Sequence, residues 1–446
     1  MSSALFGTDG MRGVALEYPL DRATLTRLGA ALAAHLREAG LPPAVLLAGD
    51  TRASTPVLAE WVGGAFAAAG GEVHWAGVLP TPAVSHLLRD RGGYGAGVVV
   101  SASHNPAADN GVKLVNQVGT KWPVDEERRL EARLDAVPTE VPVVPLPGVD
   151  ARARERYIEL LLASLPPRAL EGVRVVVDPA NGAASHVAGR FFEALGAKVT
   201  VIHGEPDGRN INARCGALFP ELLAAEVRRL RADAGVALDG DADRAILVTG
   251  TGRVLDGDDA LFVWARALRA DGKLPGPTVI ATVMSNLGLE AALRREGITL
   301  VRCPVGDREV WEAMQRDGAA LGGEQSGHVI CSHLSVTGDG LLTAAHLLAG
   351  ARRTGKGLDD LATLERFPQV LLNVRVASHR PVDEVPELAA AVRSAQRQLA
   401  DNGRVFVRYS GTEPLLRIMV EAADDRVARE TAEGLAAIAR ERLGAG

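Results

Sequence analysis

Short apolar runs and helically spaced apolar positions alternate along most of the chain. Asp21 can cap a helix in which Leu25, Leu28, Leu32 and Leu36 recur at helical spacing, and Gly40 can end it. Ala44-Val45-Leu46-Leu47-Ala48 follows as a continuous apolar run, the pattern of a strand buried on both faces. The spacing then predicts a helix from Ser54, a strand near Val73, a helix after Thr81 and a strand at Gly97-Val98-Val99-Val100. Such strand–helix–strand repetition predicts a largely parallel sheet covered by helices.

Residues 137–149 carry four prolines, which exclude a helix and suit an extended connector. A second alternating block runs from Val173-Arg174-Val175-Val176-Val177-Asp178 through Val199-Thr200-Val201-Ile202 to Val236-Ala237-Leu238. A third begins near Asp256 and includes Thr278-Val279-Ile280-Ala281, Ile298-Thr299-Leu300-Val301 and a helix from Gly340. After Pro368 the order becomes strand, helix, two strands and helix, which suits a smaller α+β unit. The expected division is 1–149, 150–253 and 254–367 as α/β domains and 368–446 as an α+β domain. No short fixed period suggests a solenoid.

Length alone, 446 residues at roughly 150 per domain, suggests about three domains. The pattern sharpens that number to four. Lys and Arg total 49 against 55 Asp and Glu, a net charge of −6. That balance argues against a nucleic-acid partner or an anionic membrane surface, so any phosphate site must be a local cluster of cations. Cys215, Cys303 and Cys331 match no metal spacing and suit reduced thiols in a cytoplasmic chain. The start lacks a basic segment followed by a long apolar one, and no apolar run reaches about 18 residues. Neither a signal peptide nor a membrane-spanning helix is expected.

Four polar, glycine-rich segments interrupt this pattern, one in each block. In Ser101-Ala102-Ser103-His104-Asn105-Pro106, Ser103 follows a strand, where open parallel sheets place ligands. Beside His104, with Lys113 further on, Ser103 suits a nucleophile or a phosphate-bearing residue, although a plain turn has the same composition. Asp239-Gly240-Asp241-Ala242-Asp243-Arg244 places three carboxylates at a spacing of two after an apolar strand. Their mutual repulsion calls for a hard divalent cation such as Mg²⁺. In Gly322-Gly323-Glu324-Gln325-Ser326-Gly327-His328, glycines allow close approach of a ligand and Glu324 can accept from adjacent hydroxyls, while a hairpin turn fits equally well. Arg408-Tyr409-Ser410-Gly411-Thr412-Glu413-Pro414, with Arg417 beyond, offers hydroxyls, backbone amides and guanidiniums to a phosphate and is also compatible with a turn. A glycine-punctuated loop, Phe6 to Gly13, presents Arg12. Arg12, Lys113, Arg244 and His104 are the cations counted against the Asp triad and a phosphoserine.

Together these segments, in this order, resemble the α-D-phosphohexomutase superfamily and, within it, the bacterial phosphoglucosamine mutases. Gly323-Glu324-Gln325-Ser326-Gly327-His328, with Gln where relatives carry Met, points to the latter. The resemblance implies four domains around a central cleft: three similar α/β domains with mainly parallel-type mixed sheets and a smaller C-terminal α+β domain. It implies interconversion of glucosamine 6-phosphate and glucosamine 1-phosphate through phosphorylated Ser103 and glucosamine 1,6-bisphosphate. That product would feed UDP-N-acetylglucosamine and cell-wall precursor synthesis; a phosphomannomutase/phosphoglucomutase activity is the nearest alternative.

Carried over residue by residue, the resemblance assigns one Mg²⁺ per chain to Asp239, Asp241, Asp243 and the Ser103 phosphate. Arg12, Arg244, His104 and Lys113 surround the phosphoryl group, with Lys113 or His104 as general acid/base. Asp307, Arg308, Glu324, Ser326 and His328 are assigned to the sugar, and Arg408, Ser410, Gly411, Thr412 and Arg417 to the non-reacting phosphate. Small sugar phosphates are the expected partners, with a homodimer as the family's assembly. The chain departs from the family's Gly-Asp-Arg-Tyr-Val at Glu309, where an acid suits the start of a helix.

Overall fold

The computed structural model describes residues 5–7, 9–410 and 414–444. The chain forms two compact units, residues 1–284 with 300–363, and residues 285–299 with 364–446.

The larger unit is built on three sheets. The first contains β1 (Met11–Val14), β2 (Ala44–Gly49), β3 (Glu72–Val78), β4 (Ala96–Val100) and β5 (Asp109–Asn116) in the order β1-β5-β4-β2-β3. The second contains β6 (Arg174–Asp178), β7 (Lys198–Val201), β8 (Ala234–Leu238), β9 (Ala245–Thr249) and β10 (Val254–Leu255) in the order β10-β9-β8-β6-β7. In each, three neighbouring strands at one side (β4-β2-β3 and β8-β6-β7) pair in parallel and the two at the other side join antiparallel, so the sheets are mixed. The third runs β12 (Thr299–Cys303), β11 (Thr278–Thr282), β13 (Leu321–Gly323) and β14 (Val329–Cys331).

The predicted elements form for the expected reasons. Asp21 caps helix Arg22–Glu38 by accepting from the Thr24 amide at 2.8 Å, and Leu25, Leu28, Leu32 and Leu36 are buried along one face. Gly29 lets this helix meet helix Thr55–Ala68 closely, because a Cβ there would lie 2.1 Å from the Val62 carbonyl oxygen. All of β2, β4 and β8 are buried, as continuous apolar runs should be. The proline-rich connector is extended and joins helix Thr55–Ala68 through a Val144 amide bond to the Gly64 carbonyl.

In the smaller unit, β15 (Gln369–Arg375), β16 (Gly403–Tyr409) and β17 (Leu415–Ala422) form an antiparallel sheet with β17 central. Helices Pro386–Leu399 and Asp425–Leu443 complete its core. Helix Leu287–Arg295 belongs to the same unit. Buried Glu421 accepts from the Leu287 amide at 3.0 Å, Asn286 Nδ2 at 3.2 Å and Arg404 Nε at 2.6 Å. Among the described residues, no helix is long and apolar enough to cross a membrane. The three cysteines are free and buried.

Candidate active site

The site grows from loops at strand ends in the larger unit. The chain leaves β4 at Val100 and places Ser103 in the left-handed region, at φ +51°. Such a residue stores about 1–3 kcal/mol of backbone strain and persists only where its surroundings fix it. Here they do. Arg52 Nη2 donates to the carbonyls of Ser103 (3.2 Å) and Asn105 (2.6 Å), and Asn212 Nδ2 donates to the same two oxygens at 2.9 and 3.0 Å. Arg52 is itself buried against Asp50. Asp50 accepts from Ser101 Oγ at 2.5 Å, and Ser101 Oγ accepts from the Ser103 amide at 3.0 Å.

Ser103 is thereby aimed at the second strand-end loop, and its Oγ donates to Asp239 Oδ2 at 2.6 Å. Asp239, Asp241 and Asp243 are all buried, with one carboxylate oxygen from each within 4.8 Å of the others. Thr81 Oγ1 and Lys113 Nζ both donate to Asp241 Oδ2, at 2.7 and 2.9 Å. Asp241 Oδ1 is buried without a hydrogen-bond partner, and Asp243 Oδ1 has none beyond an ion-pair contact with Arg244 Nε at 3.6 Å. Buried carboxylate oxygens left unpaired are costly, and an all-oxygen donor set with free lone pairs suits a hard divalent cation. Burial, with Asp243 and Asp241 close by, pushes the Asp239 carboxyl well up. Burial also opposes the charge on Asp241, but Lys113 and Thr81 outweigh it and hold that carboxyl below the usual range. The residues present therefore fit a metal.

A row of alternating charges continues from this triad. Lys113, on β5, bridges Asp241 and Asp9, the latter at 3.1 Å. Asp9 also pairs with Arg12 and Lys121, and Lys121 reaches Asp307 Oδ2 at 2.6 Å. Burial opposes the charge on Lys113, yet Asp241, Asp9 and Asp243 raise its pKa far above the usual lysine value.

His104 behaves differently from its place in the sequence-based charge count. Its Nδ1 lies 3.4 Å from Ser103 Oγ, and burial followed by Arg244 and Arg12 lowers its pKa. It is a neutral neighbour of the hydroxyl and adds nothing to the positive charge. Lys121, which carries no motif, adds a further cation beside Asp9 and Asp307.

The third loop is both a hairpin and part of the site. It joins β13 to β14, and the Glu324 carboxylate accepts from the Gly306 amide at 3.1 Å. His328 Nε2 accepts from the Gly338 amide at 3.1 Å, which leaves the proton on Nδ1, 3.4 Å from Asp243 Oδ2. A cavity of ≈ 810 Å³ is lined by Arg12, His104, Asp243, Arg244, Asp307, Glu324, Ser326 and His328, together with Asp9.

Of the expected residues, Ser103, Asp239 and Asp241 are buried and lie outside this lining, and two more do as well. Lys113 is buried behind this wall and is not among the lining residues. Arg308 also stands outside the lining, its Nη2 donating to Glu127 and to the Trp122 carbonyl, both at 2.9 Å. Glu309 is the third residue of helix Asp307–Asp317, an acid in its first turn.

Arg52, Asn212, Asp9 and Lys121 were not singled out from sequence. Arg52 sits just past the end of β2, a position that strand-end reasoning reaches, and Asp9 shares the glycine-rich loop with Arg12. Lys121 and Asn212 carry no sequence signal.

In the smaller unit, Arg408 on β16 stands directly opposite Arg417 on β17. The Ser410 amide donates to the Leu415 carbonyl at 2.8 Å, and Arg417 Nη2 lies 3.5 Å from Ser410 Oγ. Gly411 and Thr412 lie outside the described residues.

Comparison with known proteins defines the class. Profiles of phosphoglucomutase/phosphomannomutase match in chain order: alpha/beta/alpha domain I over residues 3–140, domain II over 155–252, domain III over 256–367 and the C-terminal domain over 371–438. A phosphoglucomutase/phosphomannomutase family protein from Burkholderia thailandensis has a similar structure, with TM-score 0.82, 26% identity and coverage of 99% of this chain and 98% of that one. The fold alone is shared with Aspergillus fumigatus N-acetylphosphoglucosamine mutase, solved with GlcNAc-6P and magnesium, at TM-score 0.67 and 20% identity over 98% of this chain and 96% of that one. Fold and site thus define a phosphohexomutase. A phosphoglucosamine mutase from Solibacter usitatus (strain Ellin6076) is 47% identical over 448 residues, spanning 100% of both chains. The chain belongs to the phosphoglucosamine mutase family.

Proposed function

We propose that the protein interconverts glucosamine 6-phosphate and glucosamine 1-phosphate, with Ser103 carrying the transferable phosphoryl group. The observation that carries this is the Ser103 hydroxyl held 2.6 Å from Asp239, in a buried carboxylate triad in which Asp241 Oδ1 has no hydrogen-bond partner and Asp243 lines a cavity large enough for a sugar phosphate. Full-length identity to a phosphoglucosamine mutase supports the substrate.

In the forward direction the P–O bond to Ser103 Oγ breaks as a new P–O bond forms to O1 of glucosamine 6-phosphate. The proton of that hydroxyl leaves to a base and is returned to the serine oxygen. Glucosamine 1,6-bisphosphate then turns round within the site. Its O6–P bond breaks while phosphoserine re-forms, the serine proton passing to O6, and glucosamine 1-phosphate departs. No co-reactant is consumed.

Neutral His104, in the cavity wall and beside Ser103, is the proton carrier in this reading. Lys113 is a fixed cation that holds Asp241 in place. Asp239, Asp241, Asp243 and the Ser103 phosphate would hold one Mg²⁺, which would supply positive charge to offset that of the transferring group. Arg12 and Arg244 face the same charge from the cavity, while Glu324 and Ser326 meet sugar hydroxyls. The Arg408–Arg417 pair and Ser410 take a phosphate of the sugar. Domain boundaries at 149/150, 253/254 and 367/368 fit this division of labour, one loop to each part, and three reduced cysteines suit a cytoplasmic enzyme.

The test is turnover of purified protein on glucosamine 6-phosphate beside glucose 1-phosphate and mannose 1-phosphate. Preference for the amino sugar is expected, and a strong preference for either of the others overturns the assignment. Phosphate released in step with turnover would instead indicate a phosphatase.

A further inference from the structure

A second cavity, of ≈ 440 Å³, lies in the larger unit and shares no lining residue with the transfer cavity. Its walls are residues 164–169 and parts of helices Gly257–Ala270 and Gly340–Thr354.

Its charge is opposite to that of the chain. Arg168, Lys273, Arg352 and Arg353 line it, and Asp271 is the one carboxylate among the lining residues. Arg353 pairs with Asp271, and Arg168 with Glu171 nearby. Arg352 Nε donates to the Glu171 carbonyl and shares the charge of the Glu171 carboxylate with Arg168, and among the described residues no carboxylate pairs with Lys273. Two cationic charges therefore remain uncompensated in a protein whose net charge is −6. Local excess of this sign attracts anions.

Two neutral rings, Trp264 and His346, stand in the cavity wall and bring a defined acceptor. Trp264 and His346 stack with centroids 5.5 Å apart and planes at 21°. Ser164 Oγ gives its proton to the Leu161 carbonyl at 2.6 Å, so toward His346 Nε2, 3.0 Å away, it can only accept. His346 therefore carries its proton on Nε2 and keeps Nδ1 as an acceptor. Burial and then Lys273 lower its pKa to about 4, so the ring stays uncharged near neutrality.

Gly350 keeps the space open. It lies in the interior of helix Gly340–Thr354, where glycine costs up to about 1 kcal/mol relative to alanine. A Cβ there would meet nothing within 4 Å, so packing does not require it. It shares a helix face with His346 and Arg353, at spacings of four and three.

We propose that this cavity is a second ligand site, for a nucleoside phosphate whose base carries an amino group. The ring lies against the Trp264–His346 stack and its amino group donates to His346 Nδ1. The phosphates meet Lys273, Arg352 and Arg353.

The probe is adenosine 5′-diphosphate, titrated calorimetrically into the full-length protein, with adenosine and inorganic pyrophosphate as its two halves. Gly350→Leu fills the space with a good helix former, and Lys273→Glu inverts an exposed charge. One site per chain is expected, weakened on the order of tenfold or more by either substitution, with sugar-phosphate turnover of both variants unchanged in the absence of nucleotide. No saturable binding, binding equally tight in both variants, or displacement by glucosamine 6-phosphate overturns the proposal. Pyrophosphate binding as tightly as the nucleotide overturns it too, because a site for the phosphate alone would then suffice.

Discussion

The guanidinium of Arg52 donates to the main-chain carbonyl of Ser103 at 3.2 Å, across 51 residues of sequence. The bond fixes the backbone of the nucleophile, which no side-chain contact of Ser103 can do. Because Arg52 also spans Asn105 and pairs with Asp50, a lysine cannot replace its fork. Arg52→Lys is expected to lower kcat by about ten- to a hundredfold with KM near the original value, since the loop shifts while the sugar contacts stay. Steady-state kinetics check this, with circular dichroism confirming the fold. Loss in KM alone would show that Arg52 does not position the serine.

Asp241 has one oxygen shared by Thr81 and Lys113 and one unpaired. Asp241→Asn preserves the shape and removes the charge. The Mg²⁺ concentration for half-maximal activity after chelation should rise at least about tenfold, and an unchanged titration would remove this residue from the metal set.

Lys113 neutralises Asp241 and Asp9 in a buried setting. Lys113→Met keeps the volume but leaves buried Asp241 without its cation, while Asp9 keeps Arg12 and Lys121, and the loss costs about 3–5 kcal/mol. Urea unfolding measures it. A variant as stable as the parent, with activity abolished, would make Lys113 the proton carrier in place of His104.

His346 supplies a pH dependence of stability. Burial first, then Lys273, lowers its pKa from 6.5 to about 4 in the folded protein. The unfolded chain therefore binds the proton more readily between these values, and folding loses stability as pH falls through that window. The contribution is present above about pH 6.5 and amounts to at most ~3 kcal/mol. His346→Phe keeps a ring against Trp264 and removes the titration. The drop in the urea midpoint from pH 7 to pH 5 should be smaller in the variant, and an equal drop in both proteins would contradict the assignment.

The strands that deliver the site were legible because β4 and β8 are continuous apolar runs, and the loops carrying Ser103 and the Asp triad follow them directly. The side chains that orient those loops were not. Asn212 reaches Ser103 across 109 residues and Lys121 reaches Asp307 across 186, through polar contacts that leave no periodic trace. Helix Leu287–Arg295 poses the same difficulty, since its tie to Glu421 spans 134 residues. His104 was misjudged as a cation for a related reason. Its burial and the nearness of Arg244 and Arg12 exist only in the fold.

The central claim is that Ser103 carries the phosphoryl group. Its most direct test is to incubate the protein with Mg²⁺ and isotopically labelled glucosamine 1,6-bisphosphate, then locate the label by peptide mass spectrometry. Label on Ser103, lost on addition of glucosamine 6-phosphate and absent from Ser103→Ala, is the expected result. Unlabelled Ser103 in active enzyme, or label retained at another residue in Ser103→Ala with turnover preserved, would contradict it.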